Sequence, residues 1–106
     1  MKVYLVNTRK KINATGEYNP KTNELVVFKG SILSKDISYA PTFRGSKTIE
    51  KKRAGRVENC VLQEDVAFKS SSTAGNFVTG RSTNGPAVWK DIDGRTIKEI
   101  ISEIEG

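Results

Sequence analysis

The sequence predicts an α+β fold: a small antiparallel sheet, begun by an N-terminal meander, packed with about three helices. Three observations predict it. Apolar residues recur with period two in the first third of the chain, helical spacing enters mainly in the second half, and no strand–helix–strand alternation marks a parallel sheet.

The meander comes first. Val3-Tyr4-Leu5-Val6 is short, apolar and rich in strand formers. Over 12–18, Ile12, Ala14, Gly16 and Tyr18 alternate with polar neighbours, as a half-buried strand requires. Asn19-Pro20-Lys21-Thr22-Asn23 carries turn chemistry, because proline presets one dihedral and asparagine tolerates left-handed backbone. Residues 24–29 return as a third strand, which Gly30-Ser31 ends or bulges and Ile32-Leu33 extends. Residues 34–46 hold no period and read as a connection, with Ala40-Pro41 enforcing an extended step.

Ser46 or Thr48 caps a basic helix over 47–58, anchored by Ile49 and Val57. Val61-Leu62 and Val66-Ala67-Phe68 flank the acidic Gln63-Glu64-Asp65, and the second reads as a short strand or ordered turn. Ser70 to Thr73 offers N-caps for a helix over 71–79. Ala74, Phe77 and Val78 share one face of it, and Gly80 stands where a left-handed C-terminal residue belongs. Asn84-Gly85 predicts a tight exposed turn before a short strand Ala87-Val88-Trp89, and Asp91-Ile92-Asp93-Gly94 another turn. Thr96 and Glu99 form a capping box for a helix over 96–105, with Ile97, Ile100, Ile101 and Ile104 at helical spacing.

A chain of 106 residues with 36% hydrophobic content suits one domain over 1–106 with one core. Apolar runs are too short for a membrane span or a signal peptide, and one cysteine, Cys60, fits a reducing compartment; the expected location is cytoplasmic. Cys60 reads as a small core residue, since the chain has no histidine to activate it. That absence also removes the commonest general base and zinc ligand.

Other chemical motifs fail on inspection. Gly80 and Gly85 have the spacing of a phosphate loop, but Pro86-Ala87 replaces the lysine and hydroxyl that meet phosphate and magnesium. Asp91 to Gly94 resembles the start of a calcium loop, but its twelfth position is Ser102 rather than glutamate. Glu64-Asp65 is the nearest approach to a carboxylate metal pair, and adjacent loop acids are ordinarily solvated. The expectation is a non-catalytic protein with no cofactor and no metal.

Charge is the stronger lead. The net +6 is uneven: residues 1–56 carry thirteen Lys or Arg against four acids, and residues 57–106 carry five against eight. A basic half on a small domain is the footprint of a nucleic-acid binder or of a protein that meets an acidic partner; it also serves solubility. Lys47, Lys51 and Lys52 place ammonium groups on the predicted helix with only Glu50 nearby, able to track phosphates. Arg44, Arg81, Asn84 and Lys90 complete the expected contact set, Asn84-Gly85 as a tip toward a groove or base. Trp89 and Phe77 are read as core. The exposed amides near Ser70 to Thr73 are a weaker candidate for holding an anion.

The order Phe68, a serine cluster, a small-residue helix ending Phe77-Val78-Thr79-Gly80-Arg81-Ser82, then Asn84-Gly85 and Trp89-Lys90 is similar to a microbial family, the domain of unknown function 4357 family. Ala14-Thr15-Gly16 and Phe28-Lys29-Gly30-Ser31 resemble its leading hairpin, and Asp93-Gly94-Arg95-Thr96-Ile97 its tail, so the likeness covers about 12–101. The chain departs at Ser71, where proline is common, and at Gly75, where alanine is usual. It also resembles the restriction-enzyme and adenine-methylase associated domain, for which modified-DNA reading has been proposed. The resemblance implies a setting beside GIY-YIG nucleases or restriction and modification proteins. It implies no specific activity. DNA is therefore the expected partner, with a protein-interaction module docking on an acidic nuclease or methyltransferase subunit as the alternative.

Overall fold

The computed structural model describes residues 1–105. Its elements run β1 (Lys2–Asn7), β2 (Ile12–Tyr18), β3 (Leu25–Val27), α1 (Ser46–Arg53), β4 (Val57–Glu58), β5 (Val61–Leu62), β6 (Val66–Phe68), α2 (Ser71–Thr79), α3 (Gly85–Val88) and α4 (Ile97–Glu105). Strands β1, β2, β3 and β6 form one antiparallel sheet in that order, and β4 pairs with β5 as a hairpin. This is the α+β architecture with an N-terminal meander that the apolar alternation predicts.

Register explains the core. Val3, Gly16, Val27 and Val66 stand opposite one another in one row across the sheet, with Tyr18, Leu25 and Phe68 in the next. Strand side chains alternate, so both rows point to the same face, and α2 lies over it with Ala74, Phe77 and Val78 buried. Trp89 fills the space between, wholly buried, with its indole Nε1 donating to the Ser71 carbonyl at 3.0 Å. Ser70 caps α2 through its hydroxyl, which accepts from Thr73 N, and Gly80 ends the helix at φ 70°. A side chain there would meet the Asp36 carbonyl as well as left-handed strain. Thr96 and Glu99 form the predicted capping box at α4.

Several expectations are corrected. The basic helix stops at Arg53 rather than 58, because Gly55 turns left-handed at φ 74° and Val57–Glu58 is drawn into β4. The third strand is limited to Leu25–Val27, since the chain then turns through Lys29 and Gly30. Ile32 does not lengthen it but bridges Asn13 on one side and Val61 on the other. Cys60 is not in the core: Asn59 and Cys60, at φ 50° and 67°, make the tight turn joining β4 to β5. Cys60 is half-buried there.

The stretch after α2 differs most. Asn84-Gly85 is no hairpin tip, and Ala87-Val88-Trp89 is no strand. Asn84 precedes the one-turn helix α3, with Pro86 in its first turn, and its carbonyl accepts from Ala87 N and Val88 N. Gly85 is buried against α2, where a Cβ would sit 2.2 Å from the backbone of Ser71 and Ser72. This glycine is needed for close approach rather than for turning. Only Lys90 joins the sheet, exchanging backbone hydrogen bonds with Tyr4. Of the four isoleucines of α4, Ile104 is 67% exposed, because the helix runs one turn past the surface that Ile97 and Ile100 cover. No helix among the described residues is long and apolar enough to cross a membrane.

Candidate nucleic-acid interface

Helix α1 is short and has no side-chain N-cap, so tertiary contacts hold it. Ile49 is its buried anchor. Arg53 is its lock: the guanidinium donates to the Phe77 carbonyl at 2.7 Å, the Ser34 carbonyl at 2.9 Å and the Ser34 hydroxyl at 3.0 Å. Phe77 lies in the last turn of α2, where carbonyls lose their intrahelical donors. Burial lowers the Arg53 pKa from the ordinary arginine value, and the group is held by oxygen dipoles with no carboxylate among its hydrogen-bond partners.

A groove of about 490 Å³ lies between α1, β6 and α2. Its floor is apolar: Ile49 from α1, Ala67 and Phe68 from β6, and Phe77 from α2. Phe68 and Phe77 pack against each other with centroids 4.9 Å apart. Lys52 and Lys69 stand on the rim, with Lys52 Nζ 5.7 Å from the Phe68 ring centroid, within cation–π range. Thr48, Thr73 and Asn76 add the polar groups.

The expected contact residues do not form one surface. On α1, residues 48, 49 and 52 line the groove, so helical rotation turns Lys47 and Lys51 outward together and separates them from Lys52. Lys47 and Lys51 thus stand on one side of α1 and Lys52 on the side of the groove. Glu50, the one acid on α1, accepts the Tyr39 hydroxyl, which raises the tyrosine pKa through that hydrogen bond. Arg44 is exposed just before the helix. Arg81 is exposed beyond the Gly80 cap and does not line the groove, nor does Asn84.

Lys90 lies elsewhere. Its backbone pairs with β1, at the sheet edge opposite β6, roughly four strand spacings of about 4.8 Å from the groove. There it borders a shallow depression with Tyr4, Val6 and Ile92.

Sequence reasoning missed Lys69 and Asn76, and named Thr73 only for the amides of its helix start. The signal was present: Phe68 points inward on β6, so Lys69 follows on the outer side, and Thr73, Asn76 and Phe77 make an i, i+3, i+4 stripe. It also passed over Arg9, Lys10 and Lys11, all exposed between β1 and β2. Glu64 and Asp65, weighed as a metal pair, are engaged separately: Glu64 with Arg56 at 3.5 Å, and Asp65 accepting from Lys29 N at 2.8 Å.

Fold and surface together define a small α+β domain in which the basic helix α1, the sheet-covering helix α2 and strand β6 enclose a lysine-rimmed apolar groove. Comparison with known families then places it. The chain belongs to the family described as Domain of unknown function (DUF4357), whose sequence profile matches residues 4–101. No curated protein and no solved structure matches it.

Proposed function

We propose that the chain is a non-catalytic, cytoplasmic accessory domain that binds nucleic acid, DNA in a restriction, modification or nuclease-related setting. One observation supports it most: Arg44, Lys47, Lys51, Lys52 and Lys69 lie on or beside α1 and the groove, with no ion-pair partner among the described residues. By contrast Arg95 is neutralised by Asp91 and Glu103 at 2.9 and 2.7 Å. Uncompensated cations on a convex helix beside a groove suit a phosphate backbone, whose contacts release counterions. The resemblance of the sequence to the restriction-enzyme and adenine-methylase associated domain points to the same setting.

Anisotropy titrations of duplex DNA at several salt concentrations test the reading. We expect log affinity to fall with log salt at a slope of about −3 to −5, at roughly −0.9 per phosphate contacted. No binding at low salt, or affinity indifferent to salt, rejects it. An acidic protein partner is the second reading, favoured by the apolar groove floor; it predicts specific capture that survives nuclease treatment.

A further inference from the structure

A phosphate backbone has no use for the floor of this groove. Ile49, Phe68 and Phe77 line it with hydrocarbon, with the Lys52 ammonium over the Phe68 ring. The fitting ligand carries an apolar, polar-edged body a few ångströms from negative charge. Its volume, about 490 Å³, is within the range of small-ligand sites and ample for one nucleobase.

Asn76 narrows the choice. Its Oδ1 accepts from the Thr83 backbone N–H at 2.8 Å and from the Thr83 hydroxyl at 2.9 Å. A backbone N–H only donates, so the oxygen is fixed toward Thr83 and the amide NH2 is turned away from it. That NH2 has no protein partner among the described residues, and it is not among their fully buried polar atoms. Thr48, also lining the groove, is exposed and makes no side-chain hydrogen bond among the described residues. An apolar side chain of an acidic peptide would cover both groups without satisfying them. A base offers acceptors and donors along its edge.

We propose that the groove receives one unpaired base, its edge met by Asn76 Nδ2 and Thr48 Oγ1 and its flanking phosphates by Lys52 and Lys69. This rests on the nucleic-acid reading and adds a preference for unpaired over paired strands. Because Phe68 and Phe77 are nearly buried, the base packs on the floor rather than stacking fully, and the preference is about tenfold rather than a hundredfold.

The experiment compares the intact protein binding a dye-labelled duplex, the same duplex with one bulged 2-aminopurine, and the matching single strand. Wild type is expected to bind both unpaired forms about tenfold more tightly than the duplex, with a change in 2-aminopurine emission. Thr48→Trp plugs the groove from an exposed position, and Asn76→Asp keeps the Thr83 contacts while removing the donor. Each should erase the preference for unpaired strands. Circular dichroism melts confirm that the variants fold. Equal affinity for paired and unpaired forms, unchanged by Thr48→Trp, overturns the base site and leaves the duplex reading standing. Failure to bind any nucleic acid overturns both. Tight binding of a labelled Asp/Leu-rich peptide that Thr48→Trp blocks, with no nucleic-acid binding, reassigns the groove to an acidic protein partner.

Discussion

A single guanidinium joins three segments distant in sequence. Arg53, at the end of α1, ties Ser34 in the connection to Phe77 and Val78 at the end of α2. Arg53→Ala strands several carbonyls that are at most partly exposed and should lower unfolding stability by about 2–3 kcal/mol in urea titrations. Arg53→Lys should recover no more than about half, because one ammonium cannot reproduce the planar fork. Equal stability of the alanine variant and wild type would contradict this assignment. Gly85 makes a different point at the same scale. Its place depends on two backbones touching, so Gly85→Ala should cost about 2–3 kcal/mol, although alanine ordinarily favours helix. A melt unchanged by that substitution would mean that the α2–α3 contact yields freely.

Among the elements, the turn between Lys90 and Thr96 carries the clearest pH signature. Asp91 accepts from Asp93 N at 3.0 Å and Arg95 N at 2.9 Å, and its other oxygen meets the Arg95 guanidinium. Partial burial alone would raise its pKa, but the backbone and side-chain bonds from Arg95, its charge and the Asp93 N–H outweigh that and hold the carboxyl below the usual range. A depressed folded-state pKa stabilises the fold above the unfolded value, near 3.9, and that stability is lost as pH falls through the folded pKa. Stability measured from pH 7 down to about 2 should therefore decline on the acid side. Asp91→Asn should be less stable at neutral pH and flatter below about pH 4. An acid limb identical in both proteins would remove Asp91 as a contributor. Helix α1, by comparison, is an element whose basic pattern in the sequence overruns its observed end. Arg56 and Val57 continue the helical pattern past Arg53, yet the left-handed Gly55 and the pairing of β4 with β5 end the helix sooner.

For the molecule as a whole, what matters is which edge of the sheet each cation reaches. The proposed interface lies at the β6 edge, and Lys90 at the β1 edge. The double variant Lys52→Glu, Lys69→Glu should weaken duplex binding by at least about tenfold and flatten the salt slope by roughly 2. Lys90→Glu removes the same charge per site and should change affinity less than about twofold at moderate salt, where distant surface charges are screened. Equal losses from both edges would replace a localised interface with diffuse attraction to a basic protein.

The fold was legible in sequence where its cause is local. Alternation along 12–18, the Ser70 and Gly80 ends of α2 and the Thr96–Glu99 box each depend on neighbours a few residues apart, and each is where the pattern put it. The family likeness was legible for a related reason, since the spacing of caps, glycines and aromatics is itself a linear pattern. Tertiary structure decided the rest. Gly85 looked like a turn residue because Asn-Gly ordinarily is one, and only its contact with Ser71 and Ser72 reveals a packing role. Lys90 and Lys52 looked alike as charges, and only strand order separates them. The groove itself unites side chains from α1, β6 and α2. A periodic pattern says which way a side chain points within its own element; it carries no information on which element lies opposite.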